Sequence, residues 1–166
     1  MANRVELRAA TRDDVPLIVA LIRELAEYER LAHEAVATEA MLEQHLFRAV
    51  PRAEVLIAAL DGTPVGFALF FHNYSTFTGR PGLYLEDLYV RPAARGAGIG
   101  RRLMAHLARI AIERGCARFE WAVLDWNVDA IRFYRSIGAV GMDDWRVQRV
   151  SGEALLHLAR KGDGGN

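Results

Sequence analysis

Val5-Glu6-Leu7-Arg8-Ala9 alternates apolar and polar side chains, the period of a strand with one buried face. Thr11 then offers a helix cap, with Asp14 three residues on and Pro16 in the first turn. Val15, Ile18, Val19, Ile22 and Leu25 follow at helical spacing as one apolar stripe. Thr38 caps a shorter predicted helix carrying Met41, Leu42 and Leu46. Val55 to Leu60 reads as a strand, Asp61-Gly62 as a turn, and Val65 to Phe71 as the hairpin partner. Leu83 to Val90 is a further strand. From Ala97 the period changes: Leu103, Leu107, Ile110 and Ala111 mark an amphipathic helix that stops near Gly115. Phe119 to Leu124 predicts a strand, and Ala130, Phe133, Tyr134 and Ile137 a short helix ending at Gly138. Trp145 to Val150 and Ala154 to Leu158 predict a closing hairpin around Ser151-Gly152, followed by a Gly-rich, mobile tail over 161–166. The order β-α-α-β-β-β-α-β-α-β-β predicts an α/β (α+β) fold with a mixed, mostly antiparallel sheet and helices on both faces.

Composition narrows the setting. A chain of 166 residues, 52% hydrophobic and 25% charged, is long enough for a self-sufficient core and is read as one domain over 1–160. Lys+Arg and Asp+Glu number 21 each, so no basic excess points to a nucleic-acid partner. A single cysteine, Cys116, excludes an internal disulfide framework. Met1 to Asp14 lacks the apolar core of a signal peptide, and no apolar run reaches bilayer length; the expected protein is soluble and cytoplasmic, with no membrane partner. His33, His45, His72 and His157 share no metal-ligand spacing, and no metal is expected.

The chemistry concentrates after Val90. Arg95-Gly96-Ala97-Gly98-Ile99-Gly100 lies where a strand passes into a helix, and its amides can converge on one anion at the helix N-terminus. Arg91, Arg95, Arg101 and Arg102 add positive charge. Glycines easing a tight turn beside solvated arginines is the plainer alternative. A Walker loop requires Gly-Lys-Ser/Thr where this chain has Gly100-Arg101-Arg102, and a dinucleotide fingerprint requires Gly-x-Gly-x-x-Gly; neither fits.

The loop instead resembles the acetyl-CoA loop of the GNAT superfamily of N-acetyltransferases, Arg/Gln-x-x-Gly-x-Gly/Ala. Tyr84-Leu-Glu-Asp-Leu-Tyr-Val90 before it, and Asp125-Trp-Asn-Val-Asp-Ala-Ile-Arg-Phe-Tyr-Arg-Ser-Ile-Gly-Ala139 after it, look like the branch of diamine (spermidine/spermine) and thialysine acetyltransferases. Glu24-Leu-Ala-Glu-Tyr-Glu29 and Leu155 fit the same branch. The resemblance implies a GNAT-like sheet and acetyl-CoA as co-substrate. It places the diphosphate on Arg95, Gly96, Ala97, Gly98, Ile99, Gly100 and Arg101, the pantetheine and thioester on the main chain of Leu88 and Val90, and a further cofactor contact on Asn127.

Transfer to an amine also needs a proton for the departing thiolate and an unprotonated nucleophile. The resemblance gives Tyr134 the first role, which suits a phenol that keeps its proton at neutral pH; a core aromatic beside Phe133 is the structural alternative. Glu86 is the carboxylate chosen to take a proton from the ammonium or to bind it. Strand alternation sends Asp87 to the opposite face unless a bulge intervenes, as it does in related enzymes. Both acids are otherwise plain salt-bridge partners. Cys116 invites an acetyl-cysteine intermediate, but it lies past the helix C-terminus, and direct transfer in a ternary complex is the reading.

Glu29, Glu86 and Asp87 would select a cationic acceptor, with Phe77 and Trp145 as apolar contacts. Where the polyamine-acetylating relatives carry Asp-Pro-Trp, this chain has Ser75-Thr76-Phe77, which shifts the expectation toward a shorter amine or a lysine analogue such as thialysine. By resemblance the enzyme is a homodimer closed by strands around Trp145 to Leu158. A CoA-binding regulatory module without turnover, and a protein or peptide N-acetyltransferase, are the competing functions.

Overall fold

The computed structural model describes residues 4–161, so the tail predicted over 161–166 lies outside the described residues except for Lys161, which is helical. The chain forms two compact units that divide after Leu124.

The first unit is a five-stranded sheet in the order β1-β2-β3-β4-β5, comprising β1 (Val5–Ala9), β2 (Glu54–Leu60), β3 (Thr63–Ser75), β4 (Arg80–Val90) and β5 (Phe119–Trp121). The first four strands are antiparallel and β5 joins β4 in parallel. The mixed, mostly antiparallel sheet is thus as the periodicity predicts, although β5 stops at Trp121 instead of Leu124.

Helix α1 (Val15–Tyr28) follows a single 3-10 turn, Arg12–Asp14. Asp14 accepts from the Thr11 amide at 2.7 Å, completing the box read from the sequence, and Pro16 occupies the first turn where no amide donor is needed. Ile18, Leu21 and Leu25 of α1, with Leu46 of α2 (Glu39–Leu46), bury one sheet face formed by Val55, Ile57, Phe67 and Tyr89. Helix α3 (Ile99–Glu113) packs on β2, β3 and β4, with Ile99, Leu103 and Leu107 buried; the alternate residues Leu56, Ala58, Phe70, Leu83 and Leu85 are buried as well. Complete burial of Phe67 on one layer and Phe70 on the other contributes about 2–3 kcal/mol each.

The second unit contains α4 (Val128–Ser136) and α5 (Gly152–Lys161). The predicted closing hairpin is absent among the described residues: Ala154 to Leu158 lies inside α5, and Trp145 to Val150 is irregular. A five-residue apolar run is too short to separate a period of 2 from one of 3.6. Glu153 in the first turn with Arg160 and Lys161 in the last complements the helix dipole and settles the run as helix.

Candidate functional site

The sequence places its densest chemistry on β4 and the loop beyond it, and β4 departs from regular pairing there twice. The first departure is a bulge. Leu69 pairs with Asp87 and Phe70 with Leu85, leaving Glu86 as the extra residue on β4. Alternation counted forward from Tyr84 and backward from Tyr89 therefore gives Glu86 and Asp87 the same sheet face, the one covered by α1. Glu29, directly after α1, faces that cluster.

Three carboxyls thus act on one another, and no cation is among the groups that shift Asp87 in either direction. Burial, then the charges of Glu86 and Glu29, push half-buried Asp87 from 3.8 to about 6. Burial also pushes the Glu29 carboxyl above its ordinary value. Tyr84 is raised by burial and then by Glu86 and Glu120. Such a cluster lowers its own electrostatic cost by binding an ammonium group, and one member ionises near neutrality.

The second departure is a splay. Pairing of β4 with β5 ends at Leu85↔Trp121. Arg91 donates its amide to the Val65 carbonyl at 2.8 Å and Tyr89 pairs with Phe67, so both turn their main-chain groups toward β3. Leu88 and Val90 turn theirs to the opposite edge, which no strand covers beyond Leu85 among the described residues. The Val90 carbonyl accepts from Arg95 Nε at 3.0 Å. Gly66 stands opposite Val90 because an added Cβ would lie 2.6 Å from the Tyr89 carbonyl oxygen.

Beyond Val90, a 3-10 turn (Pro92–Ala94) leads into the glycine loop. Gly96 and Gly98 adopt φ of +83° and +75°, the left-handed region that costs a side-chain-bearing residue about 1–2 kcal/mol. The first helical bond of α3 runs from the Arg102 amide to the Gly98 carbonyl, so the amides of Ile99 and Gly100 have no intrahelical acceptor. The first turn holds neither a capping side chain nor an acidic residue. This geometry suits an external anion such as a diphosphate.

Two arginines tie the loop to α1. Arg91 grips Glu24 through Nε (3.0 and 3.2 Å) and Nη2 (2.8 Å) and donates Nη1 to the Pro64 carbonyl. The Arg95 guanidinium lies 4.7 Å from the centre of the Tyr28 ring and 5.9 Å from that of Tyr89. Its side chain thus turns toward α1, while its main chain belongs to the loop. Glu24 and Tyr28 fall within the Glu24-Leu-Ala-Glu-Tyr-Glu29 stretch that carries the resemblance, one helical turn apart, but nothing in the sequence pairs them with Arg91 and Arg95.

The structure therefore brings together Glu29, Glu86, Asp87, Leu88, Val90 and Arg95–Arg101 in the first unit. Phe77 is not among them: it is 98% exposed at the tip of the β3–β4 hairpin, about 20 Å along the strand from Asp87. Half-buried Cys116 follows α3, about 22 Å along the helix from the glycine loop.

In the second unit, Asn127 caps α4 by accepting from the Ala130 amide at 3.2 Å. Tyr134 lies on α4, its ring centre 5.4 Å from that of Phe133. Trp145 is 75% exposed. Among the described residues no group of His, Cys, Asp and Glu is arranged to hold a metal ion, and no helix is long and apolar enough to cross a membrane.

Comparison with known proteins bears on what this arrangement does. Residues 19–139 match the profile of the Acetyltransferase (GNAT) family. The thialysine N-epsilon-acetyltransferase of Sus scrofa is 39% identical over 168 residues, covering 95% of this chain and 98% of that protein. The L-ornithine N5-acetyltransferase NATA1 of Arabidopsis thaliana is 34% identical, covering 90% of this chain and 85% of that protein. Among solved structures, the integron cassette protein VCH_CASS6 from the mobile metagenome of V. cholerae superposes with a TM-score of 0.78 at 32% identity, over 96% of this chain and 99% of that one.

Proposed function

The chain belongs to the acetyltransferase (GNAT) family, and we propose that it moves the acetyl group of acetyl-CoA to a primary amine of a small cationic acceptor, a diamine or a lysine analogue such as thialysine, by direct transfer in a ternary complex. The observation that carries the reading is the bulge at Glu86, which gathers Glu86, Asp87 and Glu29 into one acidic cluster at the end of α1. An alkyl ammonium is the ligand such a cluster favours. The similarity to enzymes named for thialysine and ornithine, both of which carry a side-chain amine, points the same way.

Acetyl-CoA would supply the activated acyl group, and the described geometry fits it. The amides of the Gly96–Gly100 loop would hold the diphosphate, and the outward main-chain groups of Leu88 and Val90 the pantetheine and thioester carbonyl. Glu86 takes a proton from the bound ammonium, directly or through water, leaving the nucleophilic amine. Asp87 and Glu29 hold the cation, and their raised proton affinities fall toward ordinary values once it is bound. Tyr134 is the residue we assign to protonate the departing thiolate, with Asn127 as a further cofactor contact; this part rests on the family resemblance of the α4 segment. Cys116 has no part, since it sits a helix length from the loop.

We further propose that residues 1–160 work as one catalytic domain in a homodimer. Val140, Trp145 and Val147 are 84%, 75% and 85% exposed, and Leu155, Leu156 and Leu158 are also exposed, apolar side chains that a second copy would cover. Sedimentation showing a monomer at micromolar concentration refutes that part.

The central test is release of coenzyme A by the full chain over a panel of thialysine, lysine, ornithine, diamines, polyamines and amino sugars. Turnover with short cationic amines is the expected result. Coenzyme A binding with no turnover on any member would replace the enzyme with a binding module, and turnover on peptide N-termini alone would move the acceptor class.

A further inference from the structure

We propose that the Arg95 guanidinium and the Tyr28 ring form a clamp fixing the acceptor end of α1 to the cofactor strand, which makes Tyr28 a positioning residue for the amine; the inference rests on the amine-acetyltransferase reading. A loop arginine beside a diphosphate site is ordinarily read as a phosphate ligand. Here its side chain is committed elsewhere: Nε donates to the Val90 carbonyl at 3.0 Å, and Cζ lies 4.7 Å over the Tyr28 ring, with Tyr89 behind at 5.9 Å. The guanidinium thus spans from the last residue of β4 to the last residue of α1.

The contact is one of a pair. Arg91 and Arg95 meet Glu24 and Tyr28, which are four residues apart and share one stripe of α1. The Arg91–Glu24 fork anchors the helix one turn back, and the Arg95–Tyr28 stack fixes its last turn. Glu29 is the next residue after that stack, and its carboxyl acts on Asp87. Past Glu29 the helix has ended, and Arg30 sits at φ +62°. The Glu29 amide is held by the Leu25 carbonyl at 2.9 Å, and the stack on Tyr28 adds the side-chain restraint on that last turn. Release of the clamp lets Glu29 drift from Asp87 and weakens the hold on the amine, while the backbone amides of Gly96–Gly100 are untouched.

The test is steady-state kinetics of the full chain with acetyl-CoA and thialysine, beside calorimetric titration with coenzyme A, for Tyr28→Leu, Tyr28→Phe, Arg95→Met and the Leu/Met double variant. Tyr28→Leu is expected to raise the acceptor KM about fivefold, the scale of a part-exposed cation–ring contact, with kcat and the coenzyme A Kd changed less than twofold. Tyr28→Phe keeps the ring face and restores the wild-type KM. Arg95→Met raises the acceptor KM to a similar degree, and the double variant is no worse than the poorer single one. An unchanged acceptor KM in Tyr28→Leu, additive effects in the double variant, a loss in Tyr28→Phe equal to that in Tyr28→Leu, or a coenzyme A Kd that rises with the acceptor KM in Tyr28→Leu would each overturn the clamp. If the wild type turns over and the variants behave like it, the clamp alone fails; if the wild type acetylates no amine, the functional reading fails and takes the clamp with it.

Discussion

Replacing Asp87 with asparagine is expected to stabilise the free enzyme while damaging it as a catalyst. The carboxyl is raised from 3.8 to about 6 by burial and by the charges of Glu86 and Glu29, so the fold holds its proton more tightly than the unfolded chain does. Below about pH 3.8 both states are protonated and the site costs nothing. Between 3.8 and about 6 the folded state keeps a proton that the unfolded state has lost, so stability falls as pH rises. Above about 6 the full cost stands, at ~3 kcal/mol. An amide of the same shape never ionises. Asp87→Asn should therefore be more stable than wild type by about 1–3 kcal/mol at pH 7.5, a Tm gain of several degrees for a chain of this size, and by roughly half as much at pH 5. Urea unfolding at the two pH values, with and without a saturating diamine, measures this directly. The diamine should stabilise wild type more than the variant, since only wild type has a charge for it to relieve, and the acceptor KM of the variant should rise at least tenfold. An Asn variant no more stable than wild type at pH 7.5, or a stability gap that is the same at both pH values, would show that Asp87 is not a strained carboxylate, and the case for a built cation site would lose its main support.

Other substitutions separate the remaining parts. Tyr134→Phe should lower kcat about 10²-fold or more with the coenzyme A Kd unchanged in calorimetry; retention of full kcat removes the phenol from its role. Gly66→Ala drives a methyl to 2.6 Å from the Tyr89 carbonyl oxygen and 3.2 Å from Val90 Cα, and should cost about 2 kcal/mol in urea unfolding and weaken coenzyme A binding, because the strand that must shift carries Val90. Asp14, held down to about 2 by the Arg8 fork and the Thr11 amide, contributes stability that is complete above pH 3.8 and is lost as pH falls toward 2. Asp14→Ala should flatten that acid limb and cost about 1–2 kcal/mol at pH 7, the partner arginine being half exposed.

What could be read from the chain in advance divides along physical lines. Features decided within one turn or one strand were legible: the Thr11–Asp14 box, the buried stripe of α1 and the glycines that must take positive φ before α3. Features decided by pairing were not. Nothing local marks Glu86 as the extra residue; the bulge exists only because Leu69 and Phe70 take Asp87 and Leu85 as neighbours, and the alternative of opposite faces for the two acids was a correct deduction from a regular strand. Tyr28 escaped for the same reason, since its partner is a loop residue beyond a distant strand end. The closing hairpin failed where a short apolar run admits either period; the charges at the ends of α5 are what discriminate.

Both functional elements of the first unit come from interruptions of one strand. A regular central strand offers a ligand nothing: its amides and carbonyls are paired on both edges and its side chains alternate into two cores. In β4 the ladder to β5 stops at Leu85, which uncovers the outer edge at Leu88 and Val90, and the ladder to β3 slips at Glu86, which brings two acids onto one face. The two interruptions are adjacent, within the segment Leu85 to Val90, so on the proposed reading a donor along the exposed edge and an ammonium on the acids would be neighbours. Neither interruption is stable by itself. Among the described residues the open edge has no strand partner beyond Leu85, its Val90 carbonyl being taken by Arg95, and the acid cluster raises the proton affinity of Asp87. On the proposed reading each defect would be relieved by the ligand it selects, an extended amide-bearing chain for the edge and a cation for the acids. On that reading such a site would favour the complex with both substrates over the free protein, and the residues that hold β4 to α1 would matter to acetyl transfer without touching either substrate.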